Sequence, residues 1–268
     1  MSEKTMEDEI IEFNGFSEAK IEITAPMKLS AKMEMKNLTI VCGTNNTGKS
    51  LTNKLLWAST FFLNLKLIAH VAKIKDEKTD IEMFQFILDN TFTEQNLNGE
   101  VQYSARETLL KVSFYTVRFE IDNGKLTHLV VDFPKDAKPM GDVIYLSKEA
   151  RDFTAIESYL KVKKLLGVTE VATWDDLEKL GEYNKIYDII SIESLLPKFN
   201  EAKPLLAMIK QMGGSDELLG GEDLVDIEFN KEKSELHYIT GTNEKKRLST
   251  MGAGTQSIIL MLLSSVNV

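Results

Sequence analysis

The arrangement of apolar and polar positions changes character several times along the chain. Val117, Phe119 and Ile121, then Leu129, Val131 and Phe133, sit at alternating positions, with Asp122-Asn123-Gly124 between the two sets. A period of two broken by Asn-Gly predicts antiparallel strands and a tight hairpin within residues 108–133. A further strand is expected at "DVIYLS", residues 142–147, and a second hairpin at "DLVDIEFNKEKSELHYIT", residues 223–240. Two runs are apolar without alternation. "LLWASTFFLNLKLIAHVA", residues 55–72, is broken by Asn64 and Lys66. It predicts a buried helix rather than a bilayer span, which takes about 18 or more nearly uninterrupted apolar residues. The shorter run Asn37–Cys42 ends at Gly43 and predicts a buried parallel strand. Residues 152–212 read as helices. Thr173-x-x-Asp176 resembles a capping box with an acidic first turn, and Pro197 and Pro204 are expected to interrupt the run that follows. "GGSDELLGGED", residues 213–223, reads as a loop.

Composition narrows the function classes. A length of 268 residues suits one large domain or two small ones. The formal net charge of −9 is the wrong sign for a constitutive nucleic-acid surface, leaving such contact to a local patch or a partner. The acidic start "MSEKTMEDEIIEF" has no apolar signal core, and Cys42 is the one cysteine, so no internal disulfide forms. A cytoplasmic location without a membrane segment is the expectation. Histidines 70, 128 and 237 lack metal-ligand spacing and read as structural or surface residues. Asp175, Asp176 and Glu178 read as a solvated helix start rather than a metal cluster.

The chemistry concentrates at residues 43–50, GTNNTGKS, which fit G-x-x-x-x-G-K-[ST]. A chance match in a chain of this length is on the order of one in a hundred. Each position has a physical role. Gly43 permits a sharp turn at a strand end. Thr44, Asn45, Asn46, Thr47 and Gly48 would wrap backbone N–H groups around a β-phosphate. Lys49 would neutralise β- and γ-phosphate charge, and Ser50 would offer its hydroxyl to Mg²⁺. A helix starting near Lys49 and running through Leu51 would aim the positive end of its dipole at the phosphates. ATP with Mg²⁺ is the expected ligand.

Asn45 within this loop makes it resemble the G-x-N-x-[SA]-G-K-[ST] form found in ABC-type ATPase heads of the SMC, RecF and OLD-like class, with Thr47 where serine or alanine is usual. "IIEFNGFSEAKIEIT" and "NLTIVCG" resemble the β-region that precedes the loop in those heads. Near the C-terminus, "KRLSTMGAGTQSIILMLLSSVNV" resembles a degenerate signature sequence carried by Leu248, Ser249, Gly252, Gly254 and Gln256. In that family the signature contacts the γ-phosphate bound in the opposite subunit. The segment departs from the pattern at Thr250-Met251, which leaves the identity of the signature serine open. "VIYLSKEARDF" resembles a Tyr-Leu/Ile-x(2–3)-Arg element, here with four residues between Leu146 and Arg151, which would place Arg151 near the nucleotide or the lobe junction.

The resemblance implies an α/β P-loop NTPase fold: an ABC-ATPase-like head with an antiparallel β-subdomain and an inserted helical lobe, incomplete at its C-terminus. The implied division is a nucleotide-binding lobe over 1–150, a helical insertion over 151–215, and a hairpin, signature-like loop and helix over 216–268. In the family order a Walker B strand follows the signature helix, and none follows Val268. A truncated, split or partner-completed head is therefore expected, with the apolar segment 257–268 left to a homodimer or partner protein. The first functional reading is an ATP-binding, ATP-dependent dimerisation head that switches a partner or effector, as in DNA repair or antiphage defence, with ATP hydrolysis in the complete head. The alternative is a non-hydrolysing nucleotide-binding regulatory module completed by another polypeptide. A third reading, a kinase or GTPase with Asp132 in "HLVVDF" as metal ligand, lacks a base-recognition motif. The hairpin context of Asp132 argues for a structural strand.

Overall fold

The computed structural model describes residues 16–35, 48–73, 78–92, 96–107, 113–138, 144–145, 153–171, 173–211, 224–230 and 233–264. It is a mixed α/β structure that divides into two compact units, Met1–Met140 and Gly141–Val268.

The first unit pairs β1 (Phe16–Ala25), β2 (Leu29–Met35), β3 (Asn98–Glu107), β4 (Ser113–Asp122) and β5 (Lys125–Asp132) in one antiparallel sheet of order β2-β1-β3-β4-β5. Alternation sets its two faces. Ala19, Ile21 and Ile23, Val101, Tyr103 and Ala105, and Val117, Phe119 and Ile121 are buried on one side. Glu100 and Arg118 form a 2.8 Å ion pair on the solvent side, as expected for a sheet covered on one face only. The cover is α1 (Lys49–Ala72) and α2 (Asp80–Thr91). Phe62 stacks on Phe84 at 4.7 Å, and Phe84 meets Phe119 edge-on at 4.7 Å, so both helices and the central strand share one aromatic cluster. By length and composition α1 is apolar enough to cross a bilayer, and half of its most apolar window is buried within the protein.

Local chemistry explains the boundaries. The β4–β5 hairpin turns at Asn123 (φ 49°) and Gly124 (φ 74°), the left-handed pair that a two-residue turn matching the strand twist requires. Gln85 of α2 braces it by donating to the Gly124 carbonyl at 3.0 Å and accepting from Leu126 N–H at 2.7 Å. Thr79 and Glu82 form a reciprocal capping box at the start of α2. The Thr79 backbone and side-chain hydrogen bonds hold the Glu82 carboxyl below its usual range. Gly99 fills the irregularity where β3 leaves β1. Its φ is 152°, and a Cβ there would lie 2.2 Å from the Glu22 carbonyl oxygen.

The second unit holds α3 (Phe153–Leu165), α4 (Trp174–Gly181), α5 (Ile186–Leu195), a 3₁₀ turn (Leu196–Glu201) and α6 (Ala202–Gln211). The antiparallel strands β6 (Leu224–Asn230), β7 (Glu235–Thr240) and β8 (Lys245–Arg247) follow, then a short 3₁₀ turn (Leu248–Thr250) and α7 (Ala253–Ser264). The helices and this hairpin share a core built from Phe153, Ile156, Leu195, Leu206, Leu236, Leu248 and Leu260. The capping box at Thr173 and Asp176 forms as expected.

Three expectations change. At 142–147, Ile144 and Tyr145, the described part, are in irregular backbone rather than a strand. The Tyr145 N–H and carbonyl both bond to the Ser191 hydroxyl, at 2.8 and 3.0 Å, which satisfies a backbone that a ladder would otherwise have to satisfy. Pro197 does break the helical run, as the opening of the 3₁₀ turn, but Pro204 lies inside the first turn of α6. There its missing N–H has no intrahelical acceptor to lose. The apolar segment after residue 256 does find a packing partner. Ile259, Leu260 and Leu263 are buried, against α5, α6 and the 3₁₀ turn between them, leaving Met261 exposed on the other side.

Candidate functional site

The sequence-predicted phosphate cradle is described from Gly48 onward. The strand Asn37–Cys42 and the residues Gly43, Thr44, Asn45, Asn46 and Thr47 lie outside the described residues, as does Arg151. Gly48 is the N-cap of α1 in a left-handed conformation (φ 82°), and the first helical bond runs from Thr52 N–H to its carbonyl at 2.8 Å. A side chain at Gly48 would meet both strain and crowding. A Cβ would approach Leu29 at 3.3 Å and Met27 Sδ at 3.5 Å, from the β1–β2 turn. The helix begins at Lys49 with no side-chain cap and no acidic residue in its first turn. The N–H groups of Ser50 and Leu51 precede Thr52, the first intrahelical donor, and such a surplus makes a helix start an anion-favouring end. Lys49 is half-buried and Ser50 exposed.

The second candidate segment surrounds the start of α7. Gln256 N–H donates to the Gly252 carbonyl at 3.1 Å, so Ala253, Gly254 and Thr255 supply the surplus N–H groups, again without a first-turn acid. Gly252, Ala253 and Gly254 are exposed, and Ser249 is half-buried in the 3₁₀ turn. Neither glycine adopts a left-handed backbone, and a Cβ at either would meet nothing within 4 Å. No contact among the described residues requires glycine at these two positions.

Gln256 is structural at this point. It is buried, its Oε1 accepts from Phe153 N–H at 3.0 Å, and its Nε2 donates to the Met251 carbonyl at 2.6 Å. On the entry side of the loop, Arg247 donates to Glu157 Oε2 at 2.6 Å and lies 3.8 Å from Glu235. Hydrogen bonding to Glu157 holds the guanidinium above its ordinary pKa. Glu157 is 2% exposed, and its Oε1 accepts from Leu236 N–H at 3.1 Å. Deeper in the same unit, Lys163 reaches both oxygens of Glu193 at 2.7 and 2.8 Å, and the Tyr159 hydroxyl donates to Glu193 at 2.6 Å. Burial, and then the adjacent carboxylate, pushes the Tyr159 phenol far above its usual range.

Sequence reasoning missed these polar ties. The readable signal was in α3, where Glu157 and Lys163 occupy slots on the stripe of Phe153, Ile156 and Leu160. Charges at core-facing positions imply fixed partners. The other candidates are held by partners of their own. Asp132 is exposed at the end of β5, opposite Thr116. His70 bonds to the Lys135 carbonyl at 3.0 Å, His128 pairs across the sheet with Glu120, and His237 lies 3.6 Å from Glu235. A depression on the solvent face of the first sheet is lined by Glu22, Glu100, Glu120 and Asp122, the wrong sign for a triphosphate. Among the described residues no group of three or more His, Cys, Asp or Glu side chains is placed to hold a metal ion. No protein-family model, curated protein or solved structure matches the chain.

Proposed function

We propose that this chain is an ATP-binding module of the ABC-type ATPase head class, which associates through bound nucleotide with a second copy or a partner protein. The observation that carries the reading is the junction at Gly48 and Lys49. A left-handed glycine, at which any side chain would be strained, delivers a helix start without a side-chain cap or first-turn acid within GTNNTGKS itself, at Lys49. The residues present suit a nucleotide phosphate: surplus N–H groups and Lys49 for the anion, and the exposed Ser50 hydroxyl to hold Mg²⁺. When bound, Mg²⁺ would neutralise charge between the phosphates. Ser249, Gly252 and Gly254 would face the nucleotide of the opposite copy, which gives their glycines the external reason that the local packing lacks. The P-loop NTPase architecture is part of this proposal.

The direct test is Lys49→Ala. Removing the cation that faces phosphate is expected to weaken Mg-ATP binding by about 2–5 kcal/mol, read by calorimetry. Equal affinities in the two proteins would end the nucleotide reading. A second reading, a nucleotide-dependent switch without turnover of its own, is favoured by the placement of Asp132, the carboxylate weighed as a Walker-type metal ligand, on an exposed antiparallel strand. Phosphate release that exceeds the Lys49→Ala background would exclude it.

A further inference from the structure

We propose that Glu157 is a positioning residue that fixes the 248–254 loop on α3, so that Ser249, Gly252 and Gly254 stand ready for an anionic group. The proposal rests on the reading above for the identity of that group, the terminal phosphate of a nucleotide held by a second copy.

The two ends of the loop are tied to the same end of one helix. The chain enters through Arg247, whose guanidinium bonds to Glu157 at 2.6 Å. It leaves through Gln256, whose amide accepts from Phe153 N–H at 3.0 Å and donates to the Met251 carbonyl at 2.6 Å. Phe153 and Glu157 are four residues apart in α3, and so on one face of the helix. Glu157 also accepts from Leu236 N–H at 3.1 Å, which fixes the start of β7 in the same contact.

A carboxylate that is 2% exposed is a poor choice for packing alone. An apolar side chain of similar volume would avoid the cost of desolvating a charge. What the carboxylate adds is direction. Both oxygens are satisfied when the start of β7 and the end of β8 stand in one place, and that place sets where the loop begins. Glu157 and Gln256 are both buried, whereas Gly252 and Gly254 are exposed and open. Glu157 and Gln256 therefore act through the loop rather than on a ligand.

The experiment compares the full chain with Glu157→Gln, Arg247→Met and the double variant. Glu157→Gln keeps the side-chain shape and an acceptor for Leu236 N–H but removes the charge that holds Arg247. Without nucleotide, amide hydrogen exchange at 249–256 is expected to rise at least about tenfold, while exchange in the α5 core changes less than about twofold. With Mg-ATP as the probe, affinity is expected to stay within about twofold of the parent, while ATP-dependent self-association weakens at least about tenfold. The double variant is expected to be no worse than the worse single, because both remove one shared interaction.

Unchanged exchange at 249–256 with unchanged association overturns the proposal. So does a uniform rise in exchange across the second unit, which is the mark of a merely structural residue. If Glu157→Gln does not fold, Arg247→Lys keeps the charge but loses the guanidinium geometry. Loop exchange in that variant equal to the parent's also overturns the proposal. A parent chain that neither binds ATP nor associates defeats the nucleotide reading instead, and the nucleotide-free exchange data alone then decide whether Glu157 holds the loop.

Discussion

Single residues separate into those the fold demands and those it does not, and glycine makes the contrast sharpest. Gly99 has a φ of 152°, and a Cβ there would run into the Glu22 carbonyl at 2.2 Å. Gly99→Ala is therefore expected to destabilise the first unit by about 1–3 kcal/mol through backbone strain and overpacking, measurable by urea titration. Tyr159 makes a different demand. Its phenol is buried against Glu193 and holds its proton beyond the usual range, whereas in the unfolded chain it ionises near pH 10. The stability it contributes is thus fully present below about pH 10 and falls as pH rises above that value. Tyr159→Phe should lose about 1–3 kcal/mol at pH 7, and its stability should fall less than the parent's between pH 7 and strongly alkaline solution. An equal alkaline loss in both proteins would contradict this account.

At the scale of elements, the two helix starts share a design, with surplus N–H groups, no first-turn acid and glycine at or beside the cap. They differ in why the glycine is there. Gly48 is required by its own backbone, but Gly254 lies within the first turn of α7 with open space around it. Replacing glycine by alanine inside a helix ordinarily stabilises it by roughly 0.5–1 kcal/mol. Gly254→Ala is accordingly expected to raise the stability of the isolated chain while weakening its ATP-dependent association. Calorimetric melting without nucleotide checks the first half and sedimentation with Mg-ATP the second. A gain in stability with undiminished association would mean that nothing approaches Gly254 closely.

For the whole molecule, the proposed association is isologous, each nucleotide lying between the Lys49 end of one copy and the Gly254 end of the other. This predicts complementation. Lys49→Ala chains and Gly254→Asp chains should each fail to associate with ATP, whereas their mixture should form heterodimers with one intact site. Sedimentation of the mixture, compared with each variant alone, reads the result. No recovery on mixing would argue that both segments serve one nucleotide in one chain, or none. The same logic leaves the net charge of −9 as a force opposing self-association, so added salt should strengthen the dimer until it screens the phosphate contacts.

Local periodicity and turn chemistry were enough to determine the β4–β5 hairpin, the β6–β7 hairpin, the Thr173 cap and the helix that starts at Lys49, because neighbours in sequence supply all the physics involved. β3 was not read from the sequence: Val101, Tyr103 and Ala105 alternate, but no turn signal as strong as Asn123-Gly124 stands beside them. Tertiary structure alone decided that Tyr145 bonds to Ser191 instead of joining a strand, and that the apolar face of α7 packs on α5 and α6. It also decided that Glu157 meets Arg247, 90 residues away in sequence. A buried charge announces that it needs a partner, but which partner depends on the folding of the chain between them, and no local pattern encodes that distance.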